Sequence, residues 1–145
     1  MHKKFDIEDY RQLLVILDDY DNEASRIFET LRKADTEAKA KVLTYGKNSY
    51  IERLEWDYAD KDSICIRYYD YGYDLYDSNT IYIPVKIFGN DKLIQAWVEE
   101  KIQEGLNKIK EEQKLKKSKV LEFELAEYER LKAKFENKIN DDTGK

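Results

Sequence analysis

The chain holds one histidine, His2, and one cysteine, Cys65, in 145 residues, and neither has partners for acid–base or nucleophilic work. Cys65 sits in the apolar run Ile64-Cys65-Ile66. A reactive thiol needs an electropositive setting, so Cys65 reads as a buried one. A Ser-His-Asp or Cys-His arrangement lacks a base. No Cys/His cluster has zinc spacing, and no glycine-rich loop could cradle a phosphate. Asp18/Asp19 and Asp60/Asp62 are carboxylate pairs of a kind that can hold magnesium, but such pairs serve more often as caps and turns. Asp57, Asp60 and Asp62 fail as a calcium loop, because that register puts aspartate where the sharp turn needs glycine. The sequence therefore predicts no enzyme, no cofactor and no metal site.

What remains is recognition chemistry. Residues 68–77 read Tyr-Tyr-Asp-Tyr-Gly-Tyr-Asp-Leu-Tyr-Asp, interleaving rings with carboxylates and carrying no positive charge. Tyrosine offers a rigid apolar face with a polar tip and is favoured where proteins grip partners. The carboxylates give such a surface a negative field that resembles a polyanion. The candidate partner-binding residues are Asp57, Asp60, Asp62, Tyr69, Asp70, Tyr71, Tyr73, Asp74, Tyr76 and Asp77. The competing reading packs alternate tyrosines into a small core and leaves the aspartates in hairpin turns. Base stacking on exposed rings is disfavoured, because Arg53, Lys61 and Arg67 are too few to track phosphates beside Asp70, Asp74 and Asp77.

Composition bounds the partner class. The net charge is −5, from 26 basic and 31 acidic side chains. That balance opposes nonspecific nucleic-acid binding, which needs a basic footprint. Residues 45–90 hold 9 of the 12 tyrosines and 8 acidic against 5 basic side chains. Charged residues make up 39% of the chain, above the roughly 25% of an average globular protein, so much of it is solvated helix surface. No disulfide is available within one chain. No apolar signal core opens the sequence and no run approaches 18 apolar residues, so a cytoplasmic location away from membranes is expected.

The elements that must carry these residues follow from periodicity. Ile7, Tyr10, Leu13, Leu14 and Leu17 fall at helical spacing after Asp6. Asp18-Asp19-Tyr20-Asp21-Asn22 interrupts the pattern and supplies cap residues. A second helix then runs through Ile27, Phe28 and Leu31, over Ala34, Ala38 and Val42, to a stop at Gly46. Residues 50–58 alternate, with Leu54, Trp56 and Tyr58 on one side and Arg53, Glu55 and Asp57 on the other. Further strands are expected over 63–69 and 80–83, with 71–76 a possible fourth, and Pro84 marks a strand end or an edge. After Gly89-Asn90-Asp91 nothing breaks a helix before Asn140 except Gly105, which weakens it by ~1 kcal/mol relative to alanine. The fold class is α+β: two N-terminal helices, a small antiparallel meander and a long C-terminal helix resembling a coiled-coil arm. Residues 1–90 are read as a compact domain, 91–140 as the arm and 141–145 as a frayed tail. Leu121, Leu125, Tyr128, Leu131 and Phe135 form a narrow stripe expected to mediate homo-oligomerisation. Lys114, Lys116, Lys117 and Lys119, flanked by glutamates, read as solvated surface.

In style the chain resembles small accessory proteins of phages and prophages of low-GC Gram-positive bacteria. The resemblance is carried by the acidic helices, the Tyr/Ile/Asp-rich meander, Ile81-Tyr82-Ile83-Pro84, and a charged helix that includes Tyr128-Glu129-Arg130-Leu131-Lys132-Ala133-Lys134-Phe135-Glu136. It implies a non-enzymatic role, such as an anti-defence, anti-CRISPR-like inhibitor that occludes a basic nucleic-acid channel of a host protein. It transfers no functional residue. Two rival readings stand beside it: a self-assembling coiled-coil structural protein, and a small-ligand sponge for a nucleotide signal, which would need more arginine than the six present.

Overall fold

The computed structural model describes residues 4, 6–56, 62–70 and 78–143, with backbone alone at Trp56 and over 140–143. The element order is helix α1 (Ile7–Ala38), strands β1 (Ser49–Trp56), β2 (Ser63–Asp70) and β3 (Ser78–Pro84), then helix α2 (Asp91–Thr143). One-turn 3₁₀ helices precede β1 at Gly46–Asn48 and follow β3 at Val85–Ile87. The α+β class holds. The chain divides into two compact units, residues 1–106 and 107–145.

The two expected N-terminal helices are one helix of 32 residues. The segment Asp18–Asn22 supplies cap-type side chains but no glycine or proline, and nothing forces the backbone out of helix. Its polar groups bond along the helix instead. Asn22 Nδ2 donates to the Asp18 carboxylate at 3.5 Å, and Ser25 Oγ donates to the Asp21 carbonyl at 2.9 Å. Tyr20 rests on Phe88, ring centroids 5.7 Å apart, so tertiary contact also holds this stretch in place. Asp6 is the N-cap, accepting from the Glu8 amide at 2.9 Å.

The helix also ends earlier than its apolar spacing suggests. It stops at Ala38, with Lys39 in the left-handed region at φ 52° and Lys41 at φ 56°. The terminator is Asp35, only 2% exposed. Its two carboxylate oxygens accept from the Val42 and Leu43 amides, each at 3.0 Å. These bonds pull the chain back across the helix end and put Val42 beyond it. Gly105 explains itself here. A Cβ on it would lie 2.4 Å from the Ala40 carbonyl oxygen and 3.0 Å from Val42 Cγ2. The returning turn seats on α2 only where α2 has no side chain.

The sheet is an antiparallel meander in the order β1-β2-β3. Its register sets Leu54 opposite Ile66 and Trp56 opposite Ile64, alternating with Arg53 opposite Arg67 and Glu55 opposite Cys65. A bulge between Ile51 and Arg53 keeps both sides of that alternation in phase. On β3, Ile83 faces Ile64 and Ile81 faces Ile66, and Pro84 closes the edge strand as expected. The inward side chains Ile64, Ile66, Tyr68 and Ile83 form one core with Ala24, Ile27, Phe28 and Leu31 of α1 and Ile94, Trp97 and Val98 of α2. Burying each large side chain stabilises by about 1.5–3 kcal/mol. Tyr68 sits in this core with its ring 5.7 Å from Phe28, and its hydroxyl accepts from the Thr44 amide at 3.2 Å.

Helix α2 runs 53 residues without interruption. Asn90 caps it, accepting from the Leu93 amide at 3.2 Å, and Gly89 supplies the positive φ of the preceding turn. The helix continues through Asp141–Thr143, which the tail reading left out. No hairpin forms at Gln113–Ser118.

Candidate interaction surfaces

Seven of the ten expected partner-binding residues, Asp57, Asp60, Tyr71, Tyr73, Asp74, Tyr76 and Asp77, lie outside the described residues. The other three do not converge. Asp62 precedes β2 and Asp70 ends it, roughly 26 Å apart at 3.3 Å per strand residue. Asp62 closes a turn, its carbonyl accepting from the Val85 amide at 2.8 Å. Tyr69 is half-buried with its ring 6.4 Å from that of Tyr50, and the Arg32 guanidinium lies 5.7 Å from the Tyr50 ring. Asp70 faces Ser49 across the ladder. Tyr68, the first residue of the run, is core. No group of three or more His, Cys, Asp and Glu close enough to hold a metal ion occurs among the described residues.

The exposed apolar surface lies elsewhere. Along α1, positions 10, 13, 14 and 17 fall on the same helical stripe as Ala24, Phe28 and Leu31, because 100° per residue returns them to one face. From Ala24 onward that face is covered by the sheet and α2. Up to Leu14 it is open, with Leu17 half-buried: Ile7 is 65% exposed, Tyr10 60%, Leu13 50% and Leu14 47%. Val15 and Ile16 are exposed as well. The same segment is strongly acidic, with seven carboxylates against Arg11 between Asp6 and Glu23. Crowding there is visible at Asp21, whose carboxyl is held above the ordinary aspartate range by partial burial and then by the charge of Asp18. An acidic helix with an uncovered apolar face is suited to a basic, partly apolar partner.

The second exposed face is on α2 beyond Leu106. Leu121, Leu125, Tyr128, Leu131 and Phe135 are each more than half exposed. They span an arc of roughly 120° at 100° per residue. The neighbouring charges are those of a solvated helix, with Arg130 paired to Glu127 at 2.9 Å.

No family model matches this chain, and no curated protein or solved structure matches it. The surfaces therefore rest on their own chemistry. Between α1 and the first turns of α2 lies a groove of about 570 Å³. Ala34, Ala38, Val98 and Ile102 line it with Glu37 and Glu99. It presents no cation for a phosphate, which leaves a nucleotide without a counter-charge there. None of the described helices is long and apolar enough to cross a membrane.

Sequence reasoning singled out neither Asp35 nor the exposed face of α1. The signal for the latter was present, since Tyr10, Leu13, Leu14 and Leu17 carry the helical period. That period does not say where the covering elements stop.

Proposed function

We propose that the protein is a non-catalytic interaction protein that occludes a basic surface of another protein with the first half of α1, and that it self-associates through α2. The observation that carries this reading is the core-facing stripe of α1 running on, exposed and acid-flanked, through Tyr10, Leu13 and Leu14. Monomeric proteins seldom leave large contiguous apolar patches open unless they bind something. Acid on a host-directed inhibitor steers it to surfaces that bind nucleic acid, and the resemblance to anti-defence proteins points to the same target class. The Tyr/Asp segment is kept as a separate candidate contact, because its described part, Tyr69 and Asp70, lies beside Tyr50 and Ser49 near Arg32, some 18 residues along α1 from Leu14.

The test compares the tagged full chain with its Tyr10→Ala/Leu13→Ala/Leu14→Ala variant in pull-downs from bacterial lysate, with captured proteins and nucleic acid both identified. The expected result is one nucleic-acid-handling protein that is released at high salt and absent from the variant. These side chains are solvent-exposed, so circular dichroism of the variant should match the parent. Equal capture by both chains removes α1 from the binding face, and capture of nucleic acid alone removes the inhibitor reading.

A further inference from the structure

We infer that α2 pairs with α2 of a second copy in antiparallel orientation, centred near residue 130. The inference rests on the self-association proposed above and adds its polarity and register. Three features of one helix converge on that centre.

The first is the charge order. Residues 120–129 carry Glu122, Glu124, Glu127 and Glu129 and no basic residue, whereas 130–138 carry Arg130, Lys132, Lys134 and Lys138 against Glu136. Each block is about 15 Å long at 1.5 Å per residue, longer than the ~8 Å screening length at physiological salt. A partner helix therefore senses the two blocks separately. Parallel, in-register pairing sets four glutamates beside four glutamates. Antiparallel pairing about residue 130 sets each acidic block beside a basic one.

The second feature is the apolar row. In an antiparallel pair, facing positions have numbers that add to a constant. Leu125 faces Phe135 at a sum of 260, and Tyr128 faces Leu131 at 259. Twofold symmetry repeats both layers. Leu121 extends the row toward position 139 of the second copy, an isoleucine.

The third feature is the edge of the stripe. Antiparallel helices bring like sides together, so Glu124 and Glu127 on one side of the stripe's midline meet Lys134 and Lys138 on that same side of the other copy, and Glu129 meets Lys132 on the other side. Glu124 and Lys132 fall within the apolar arc and the other four beyond its edges. The sums for Glu127–Lys134, Glu129–Lys132 and Glu124–Lys138 are 261, 261 and 262, within about one helical turn of the apolar register. Like charges also meet, Glu122 against Glu136 and Glu129 against its own copy, and the former gives a test of sign.

The experiment uses the full chain carrying Gln113→Cys with a nitroxide label, measured by pulsed electron–electron resonance. Cys65 is buried at 6% exposure, and labelling of the parent chain controls for it. Position 113 lies 17 residues from the centre, so antiparallel pairing separates the two labels by about 50 Å. Parallel pairing brings them within about 20 Å, the helix spacing plus the label arms. A distance near 50 Å supports the inference. A short distance overturns the antiparallel register while leaving self-association intact. No intermolecular distance, with a monomer in light scattering, overturns both. A second variant checks sign: Glu136→Lys is expected to tighten the dimer about fivefold by facing Glu122, whereas in a parallel pair it enlarges a basic block facing itself and weakens the dimer.

Discussion

Replacing Asp35 by alanine removes the clamp that closes α1. The carboxylate accepts from two backbone amides at 3.0 Å. The Leu43 amide is buried and cannot turn to water, so orphaning it costs about 1–3 kcal/mol. The Val42 amide is half-buried and loses a charge-assisted bond worth about 1.5 kcal/mol. Relief from burying a carboxylate offsets part of this, which leaves a net loss of about 3 kcal/mol. For a cooperative unit the size of residues 1–106, that lowers Tm by about 13 °C. Urea unfolding followed by tryptophan fluorescence and by circular dichroism measures it, since Trp97 lies in the same core. Asp35→Asn keeps one acceptor and should lose about half as much. The clamp also holds Lys39 and Lys41 at positive φ, each at a cost of about 1 kcal/mol for a side chain with a Cβ. Lys39→Gly and Lys41→Gly should each raise stability by about 0.5 kcal/mol and restore part of what Asp35→Ala loses. An Asp35→Ala chain as stable as the parent within 0.5 kcal/mol would refute this account of how the helix ends.

Gly105→Ala adds about 1 kcal/mol of helix propensity but drives its Cβ to 2.4 Å from the Ala40 carbonyl oxygen. The expected outcome is a net loss of about 1–2 kcal/mol in thermal unfolding, opposite in sign to propensity alone. Asp21→Asn tests the crowded carboxylates. Burial and Asp18 raise the Asp21 pKa in the folded chain, so its ionisation costs stability as pH rises through that value, and the penalty vanishes below the unfolded carboxylate pKa. The variant should melt higher than the parent at pH 7 and equally near pH 3; an equal gain at both pH values would contradict the charge argument. Leu125→Glu, by exposing a charge where two copies each bury a leucine worth about 1.5–3 kcal/mol, should weaken self-association by about a hundredfold or more in sedimentation, with the melting of residues 1–106 unchanged.

The three strands were legible because they carry period-two patterns and strand-favouring Ile and Tyr; the start of β3 was not, since Ser78 and Asn79, turn-type residues, pair with Tyr69 and Tyr68. The break in α1 was read from composition and did not occur. Asp, Asn and Ser favour caps only when the chain has a reason to leave the helix, and Asn22 and Ser25 found partners one turn back instead. The true end depends on Asp35, an acidic residue in a helix that otherwise looks ordinary. Its role comes from amides seven and eight positions ahead, a contact that periodicity does not encode. Gly105 was visible as a weak point in a helix, but its purpose depends on a turn 65 positions earlier in the chain. The tyrosine run was legible as unusual composition. Tyr68 went to the core because β2 is the central strand, a fact set by the order of all three strands together.

The core explains only part of either helix. On α1 the core residues run from Ala24 to Leu31, and on α2 from Ile94 to Val98. Helical segments beyond such contacts gain little from propensity, since isolated helices shorter than about 12–15 residues are marginal in water. A chain selected for stability alone would end both helices near the core or make their outer turns polar throughout. This one instead continues the apolar period of α1 for four turns before Ala24, and restores an apolar stripe on α2 at Leu121 after a charged stretch. The two stripes differ in their charge. The α1 face is bracketed by acid, Asp6, Glu8 and Asp9 before it and Asp18, Asp19, Asp21 and Glu23 after it, with Arg11 the one basic residue between, a balance that favours a basic partner over a second α1. The α2 face alternates sign in blocks, which suits a second copy of itself. Under the proposed function these two differently charged apolar faces divide the work: one for a foreign surface, the other for the protein's own assembly.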